Sequence, residues 1–253
     1  MVRMLLVSIL FCSPLFAAGK VLIIADEVPA MEFLAGKLKA GAGVESTIVT
    51  QDKLPPDFGP YSSVIVYIHG KLLVPTETAC VAYATGGGKL ILLHHSISSS
   101  KRANKQWFPT LGISLPEGDV SQGGYKWMEP VTLDFVNLAP KHYITTHNVK
   151  YEKRIPYKPS DVEGGERQLD GFTLPDTEVY LNHTFTGPRT ILLGMKYTDA
   201  KSGITYMQDR AGWYKPAGKG WVLYFMAGHS VRDLENPAYA QILVNAVAYQ
   251  QPQ

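Results

Sequence analysis

The sequence predicts an α/β fold with a mostly parallel sheet and helices on both of its faces. Three observations carry that expectation. Short apolar, β-branched runs alternate with amphipathic stretches of helical length through the first half of the chain. These runs are continuous rather than alternating, as expected of strands buried on both faces. Gly and Pro stand at the junctions where one kind of segment gives way to the other.

Residues 20–25 (KVLIIA) read as the first buried strand, ended by Asp26 and Glu27. Pro29 opens a helix with Met31, Leu34 and Leu38 on one face, and Gly41 and Gly43 stop it. A second strand is expected over 44–50 and a third over 63–68, the latter running into His69-Gly70. The next helix spans about 75–84, with Cys80, Val81 and Ala84 inward. Gly86-Gly87-Gly88 then turns the chain into a fourth strand, 89–93. Residues 100–176 are rich in Gly, Pro, Lys and aromatic residues and poor in helical periodicity. They are expected to form an irregular middle insertion, with short strands at 131–135 and 142–146 and a surface loop at 153–166. Trp107, Tyr125, Trp127, Tyr151 and Tyr157 are available there to wall a pocket or, alternatively, to make a satellite core. Strands return at 178–181, 190–197 and 220–226. Asn236 caps a last helix with Pro237 at its first position and Tyr239, Ile242, Ala246 and Tyr249 on one stripe.

The first nineteen residues read differently. Arg3 gives a positive start, residues 4–11 an apolar run, and Ala17-Ala18-Gly19 a small-residue cleavage site, fitting best after Gly19. This is the pattern of a secretory signal peptide, too short for a comfortable membrane span. It predicts an exported protein, periplasmic or secreted, with no transmembrane segment once the leader is gone and one domain over 20–250. Of the two cysteines, Cys12 sits inside that leader, so Cys80 stands alone in the mature chain and no internal disulfide is expected. The formal charge is +2, and +1 without Arg3, which excludes nucleic acid or an acidic surface as an electrostatically driven partner.

Parallel sheets bind ligands at the carboxyl ends of their strands. Asp26, His69, His94, His95 and His229 each stand just after an apolar strand core and are therefore candidates. Imidazole at a strand end serves as general base, proton donor or metal ligand, or is simply satisfied by a neighbouring loop. Gly228 lets the backbone turn sharply before His229, and Asp233 and Glu235 follow within reach of it or of the last helix dipole. Glu178 and Tyr180, two apart on one strand face, add a carboxylate and a hydroxyl, and Asp176 beside them offers a possible cation ligand or a solvated charge. Trp213 is expected to shape the pocket. There is no nucleophile elbow, no phosphate-binding glycine loop, and no zinc motif of the His-Glu-x-x-His or paired-cysteine kind. Asn182-His183-Thr184 is formally a glycosylation sequon.

Four segments, taken in order, resemble the ThuA-like, trehalose-utilisation family, a branch of the class I glutamine amidotransferase-like fold. They are the glycine turn, strand and histidine of residues 84–94; His142-Tyr143-Ile144-Thr145, with Tyr143 in place of a proline; Leu174-Pro175-Asp176-Thr177-Glu178-Val179-Tyr180, with Thr177 in place of an aspartate; and 218–229, followed by Glu235-Asn236-Pro237. The resemblance implies a flavodoxin-like doubly wound sheet. It also implies that the amidotransferase cysteine is missing, and the fourth strand indeed runs into His94-His95-Ser96 with no cysteine. Family members are associated with trehalose and related sugars, partly through keto-sugar intermediates.

The functional expectation is an enzyme acting on a small-molecule carbohydrate or a keto-sugar or glycoside derivative: a hydrolase, a lyase or hydratase, or an isomerase. His94, His229 and Glu178 would do the acid–base work or hold a divalent metal, while Asp26, His69, His95, Tyr180 and Trp213 bind substrate. Replacing either His94 or His229 by Ala should then abolish turnover at little cost in stability. The rival readings are a non-catalytic sugar-binding module and a scaffold that has lost its pocket.

Overall fold

The computed structural model describes residues 19–160 and 164–250. All but the last residue of the expected leader, with Arg3 and Cys12, lies outside the described residues. So do 161–163, inside the expected surface loop, and 251–253.

The chain opens with β1 (Lys20–Ala25), α1 (Val28–Ala42), β2 (Glu45–Val49), β3 (Tyr61–Tyr67), α2 (Val74–Gly86) and β4 (Lys89–Leu93). Each boundary has a local cause. Pro29 starts α1, and Gly43 ends it in the left-handed region (φ 65°), its N–H closing back on the Lys39 carbonyl at 3.0 Å. Four of the five β4 residues are apolar and all five are buried, which fits a strand covered on both faces. Cys80 faces inward from α2 with no exposed surface, and burial pushes its thiol pKa well up, so this thiol is inert.

The middle of the chain corrects the expectation of an irregular insertion. It supplies α3 (Trp107–Leu111), β5 (Ile113–Ser114), β6 (Lys126–Asn137), α4 (Tyr143–Thr146), β7 (Lys153–Tyr157) and β8 (Arg167–Leu181). β6 and β8 are the 12- and 15-residue arms of one long antiparallel ladder. The strands expected at 131–135 and 178–181 are only parts of these arms. Residues 142–146 form the short helix α4, because the His142 ring accepts the Ile144 N–H as an N-cap. The expected loop at 153–166 begins as the edge strand β7, in which Pro156 is tolerated. Of the aromatics there, Trp107 and Tyr157 are core, whereas Trp127 is half-exposed.

β9 (Thr184–Phe185), β10 (Thr190–Thr198), β11 (Thr205–Ala217), β12 (Gly220–Phe225), α5 (Val231–Glu235) and α6 (Pro237–Ala248) complete the chain. β11 is absent from the sequence expectation, since its polar and apolar residues follow no single period. The Asn236 side chain caps α6 by accepting the N–H groups of Ala238 and Tyr239 at 3.0 and 3.1 Å.

The main sheet has ten strands in the order β2-β1-β3-β4-β12-β11-β10-β6-β8-β7. The first five run parallel and the rest antiparallel, so the sheet is mixed rather than mostly parallel. β1 connects outward to β2 and β3 connects the other way to β4. Right-handed crossovers therefore set α1 and α2 on opposite faces and leave a crevice at the carboxyl ends of β1 and β3. α6 and α5 pack against α1, while α2 lies on β4 and β12. The Lys89 ammonium, buried at the start of β4, caps the far end of α6. It donates to the carbonyls of Ala246 (3.2 Å), Val247 and Tyr249 (2.8 Å). Among the described residues no helix is long and apolar enough to cross a membrane.

Candidate functional site

Four strand ends deliver the imidazoles and carboxylates that the sequence singles out. β1 ends in Asp26, β3 leads to His69, β4 to His94 and His95, and β12 to His229. Glu178 comes from β8, which lies four places beyond β12 in the sheet. The antiparallel half must therefore curl back over the carboxyl edge of the parallel half. Register shifts in the β6–β8 and β10–β11 ladders supply the local kinks and extra twist this requires.

The convergence is tight. Glu178 Oε2 lies 2.9 Å from His94 Nε2, 3.3 Å from His95 Nε2 and 3.6 Å from His229 Nδ1. His94 Nε2 and His229 Nδ1 are 3.3 Å apart. His94 has no exposed surface and Glu178 almost none, whereas His95 and His229 are partly open. His94 also holds a left-handed backbone (φ 41°), unusual for a residue with a side chain and a form of local strain found at sites that need one geometry.

Outer partners set which nitrogen of each ring faces the centre. His94 Nδ1 lies 2.5 Å from the Met226 carbonyl, which can only accept, so that nitrogen carries the proton and Nε2 presents a lone pair inward. His229 Nε2 lies 3.1 Å from the Glu129 carboxylate, which likewise leaves Nδ1 as the inward acceptor. The Tyr180 hydroxyl donates to Glu178 Oε2 at 2.7 Å and orients it. Asp233 holds the loop beneath His229 rather than its ring, accepting from the N–H groups of Gly228 (3.0 Å) and His229 (2.9 Å) and from the Thr177 hydroxyl (2.7 Å).

The electrostatics follow from this packing. Burial alone would raise the Glu178 pKa, but once His229 and His94 carry a proton on their inward nitrogens as well, their hydrogen bonds and that of Tyr180 hold the carboxyl well below the usual range. The same carboxylate raises the His229 pKa. Burial, reinforced by the charges of His94 and His69, keeps His95 neutral far below its ordinary value.

Asp26 and His69 form the outer rim. Asp26 accepts the backbone N–H groups of His69 and Gly70 at 2.9 Å each and lies 3.2 Å from His69 Nδ1, while Glu27 stands 3.2 Å from His69 Nε2. The His69 ring rests against His95, centroids 4.0 Å apart. The Lys101 ammonium, buried behind this rim, donates to the carbonyls of Ile68 and His69.

One expectation needs correction. Trp213 pairs with Tyr224 across β11 and β12 and has no exposed surface, with the Arg189 guanidinium 4.5 Å from its ring. It is core and cannot touch a ligand. Of the two readings of Asp176 it is the solvated charge that the structure agrees with, paired with Arg232 at 3.3 Å on the surface. The sequon is also unavailable, since the Asn182 amide donates to the carbonyls of Val120 and Gly124.

Glu129 is the site residue that sequence reasoning misses. It sits in a segment without clean period and follows no strand end, so nothing in its neighbours marks it. With His229 it lines an open cleft of about 620 Å³ that also touches Pro130, Thr177 and Val231.

Four groups with ligand atoms within 4.8 Å of one another, His94, His95, Glu178 and His229, form a set able to hold a metal ion. Zinc bonds of about 2.0–2.2 Å in tetrahedral array place ligands roughly 3.3–3.6 Å apart. The His94–His229 and His229–Glu178 contacts, 3.3 and 3.6 Å, match that spacing, and the His94–Glu178 contact of 2.9 Å is shorter.

No protein-family model matches this chain, and no curated protein matches it by sequence. Solved structures do match in fold. A ThuA-like protein from Bacteroides uniformis ATCC 8492 aligns with TM-score 0.58 and 17% identity over 90% of this chain and 89% of its own. A cytoplasmic protein from Salmonella typhimurium LT2 aligns with TM-score 0.56 and 15% identity over 90% and 98%. Agd3, a carbohydrate deacetylase, gives 0.53 and 13%, with 90% of this chain matching 32% of the enzyme. The chain thus carries the fold of ThuA-like proteins, in line with the resemblance read from its sequence.

Proposed function

We propose that this protein is an exported member of the ThuA-like family, its parallel half flavodoxin-like, and that it acts on a carbohydrate or keto-sugar derivative at a divalent-metal centre formed by His94, His229 and Glu178. One observation carries the metal reading. In their neutral forms the inward nitrogens of His94 and His229 are both acceptors, and they converge on a carboxylate oxygen. Three lone-pair groups aimed at one point repel unless a proton or a cation lies between them. Asp, Glu and His donors of this kind suit zinc and several other divalent ions. Such an ion supplies Lewis-acid polarisation of a bound oxygen.

The chain's own residues account for the rest of the chemistry. Tyr180 fixes Glu178 Oε2, the carboxylate oxygen that would help hold such an ion. Glu129, half in solvent, holds His229 in the required tautomer and stands ready to take a proton from substrate or water in the cleft. His95, neutral and partly open, offers a further ligand nitrogen on the His69 side, its Nε2 3.3 Å from Glu178. Glutamine amidotransfer has no support, because the thiol it needs is absent and Cys80 is sealed in α2.

The test joins metal analysis to product detection. Purified protein should carry about one equivalent of divalent ion per chain and, on a panel of disaccharides and their keto derivatives, form a product that chelation abolishes. Metal-free protein that binds sugars without turnover would instead make it a sugar-binding module.

A further inference from the structure

Trp127 stands apart from the other tryptophans. Trp107 and Trp213 have no exposed surface and Trp221 is 7% exposed, whereas Trp127 is 48% exposed. A lone exposed aromatic is ordinary on a protein surface. Its position is what matters. Trp127 pairs directly with Tyr180 across the β6–β8 ladder, and the Tyr180 hydroxyl donates to Glu178 Oε2 at 2.7 Å. Opposed residues in an antiparallel pair project to the same side, as do residues two apart on one strand. The indole therefore emerges on the Tyr180 side of the ladder, the side from which Tyr180 reaches Glu178, two residues before Glu129 in the chain. Its N–H donates to no protein atom among the described residues, so a polar edge is free beside a broad apolar face.

We infer that Trp127 is the platform on which a pyranose ring stacks, presenting the sugar's hydroxyl edge to Glu129 and His229. The inference rests on the carbohydrate reading above and narrows it to cyclic, neutral pyranosides. A pyranose has a flat face of C–H groups and a polar rim. The histidine and carboxylate cluster matches the rim, and among the described residues of β6 and β8 Trp127 is the exposed aromatic ring. Indole covers such a face while its N–H meets a hydroxyl. An acyclic polyol carries the same hydroxyls without the flat face and gains nothing from the ring.

The probes are methyl β-glucopyranoside and sorbitol, with binding followed by calorimetry and by tryptophan fluorescence. The glucoside should bind and change the fluorescence, and sorbitol should not. Trp127→Ala should weaken glucoside binding about ten-fold, with unchanged melting temperature and unchanged metal content, while Trp127→Phe should retain most of the affinity. Equal binding by Trp127→Ala, equal binding of sorbitol, or no glucoside binding at 100-millimolar concentrations (~0.1 M, the weak end of specific affinities) overturns the assignment. Trp127-dependent binding by a protein that holds no metal and forms no product would sink the enzymatic reading and leave the platform standing. Normal metal loading with binding indifferent to Trp127 would do the reverse.

Discussion

His94 Nε2 and His229 Nδ1 lie 3.3 Å apart although 135 residues separate them in the chain. Each ring is turned toward the other by a partner on its far side, the Met226 carbonyl for one and the Glu129 carboxylate for the other. The two histidines are nevertheless unequal, because His94 is sealed and His229 is open to the cleft.

That difference revises the expectation that either histidine can be removed without loss of stability. His94→Ala strands the buried Met226 carbonyl and empties space in the core, at a cost of about 1–3 kcal/mol for the lost hydrogen bond alone. His229→Ala should cost less, because its ring is partly exposed and Glu178 keeps His94 and Tyr180 as partners. Urea denaturation of the metal-free proteins measures both. Equal destabilisation by the two substitutions would contradict the assigned burial.

Glu129→Ala leaves the His229 tautomer unspecified and removes a charge that strengthens the imidazole as a ligand. Zinc affinity, read by competition with a chromophoric chelator, should fall by about 10- to 100-fold, while the urea midpoint stays near that of the parent. An unchanged affinity would place Glu129 outside the site's function.

The pH dependence of the metal-free protein should show two limbs. Burial works to raise the Asp26 and Glu178 pKa values, but their hydrogen bonds hold both below the ordinary carboxylate range. Their contribution to stability is therefore present above about pH 4 and is lost as the pH falls below that. His229 is shifted the other way by Glu178, so its contribution is complete below pH 6.5 and is lost as the pH rises through its raised value. Saturating zinc should abolish the alkaline limb, because the metal needs the deprotonated ring. Asp26→Asn should shrink the acid limb; an identical acid loss in that variant would show that the carboxylate is not responsible.

Lys89→Met tests a different joint. Burial draws the Lys89 pKa down to about 7, yet three carbonyls at the end of α6 still take its N–H groups. Substitution leaves those carbonyls buried without donors, costing about 1–3 kcal/mol. Hydrogen exchange should show the last turn of α6 losing protection while β4 keeps it. Retained protection in α6 would mean that water takes over the cap.

The parallel half is legible because its signals are local. Pro29, Gly43, the glycines before β4 and the Asn236-Pro237 cap mark boundaries that the structure keeps. Strands such as β4 and β12, covered on both faces, must be apolar throughout. β11 and the long arms β6 and β8 are less legible because their faces change environment along the strand. The β8 residues pass from exposed to buried to exposed and back, so no single period survives.

The candidate site divides along the same line. Strand-end position alone singles out Asp26, His69, His94, His95 and His229, because in a parallel sheet every strand delivers its next residue to one edge. Trp213 and Glu129 escape that logic: burial or exposure on an antiparallel arm depends on which strand lies opposite.

By itself, then, the sequence determined the alternating parallel core, its helix caps and the edge at which chemistry-bearing residues gather, since each follows from contacts within a few residues. Only the tertiary structure decided that the antiparallel half curls back to set Glu178 between His94 and His229, that Glu129 holds the outer face of His229, and that Trp213 is interior. Those outcomes rest on strand register and sheet curvature across dozens of residues, and a shift of one residue along a ladder would turn each of these side chains to the other face.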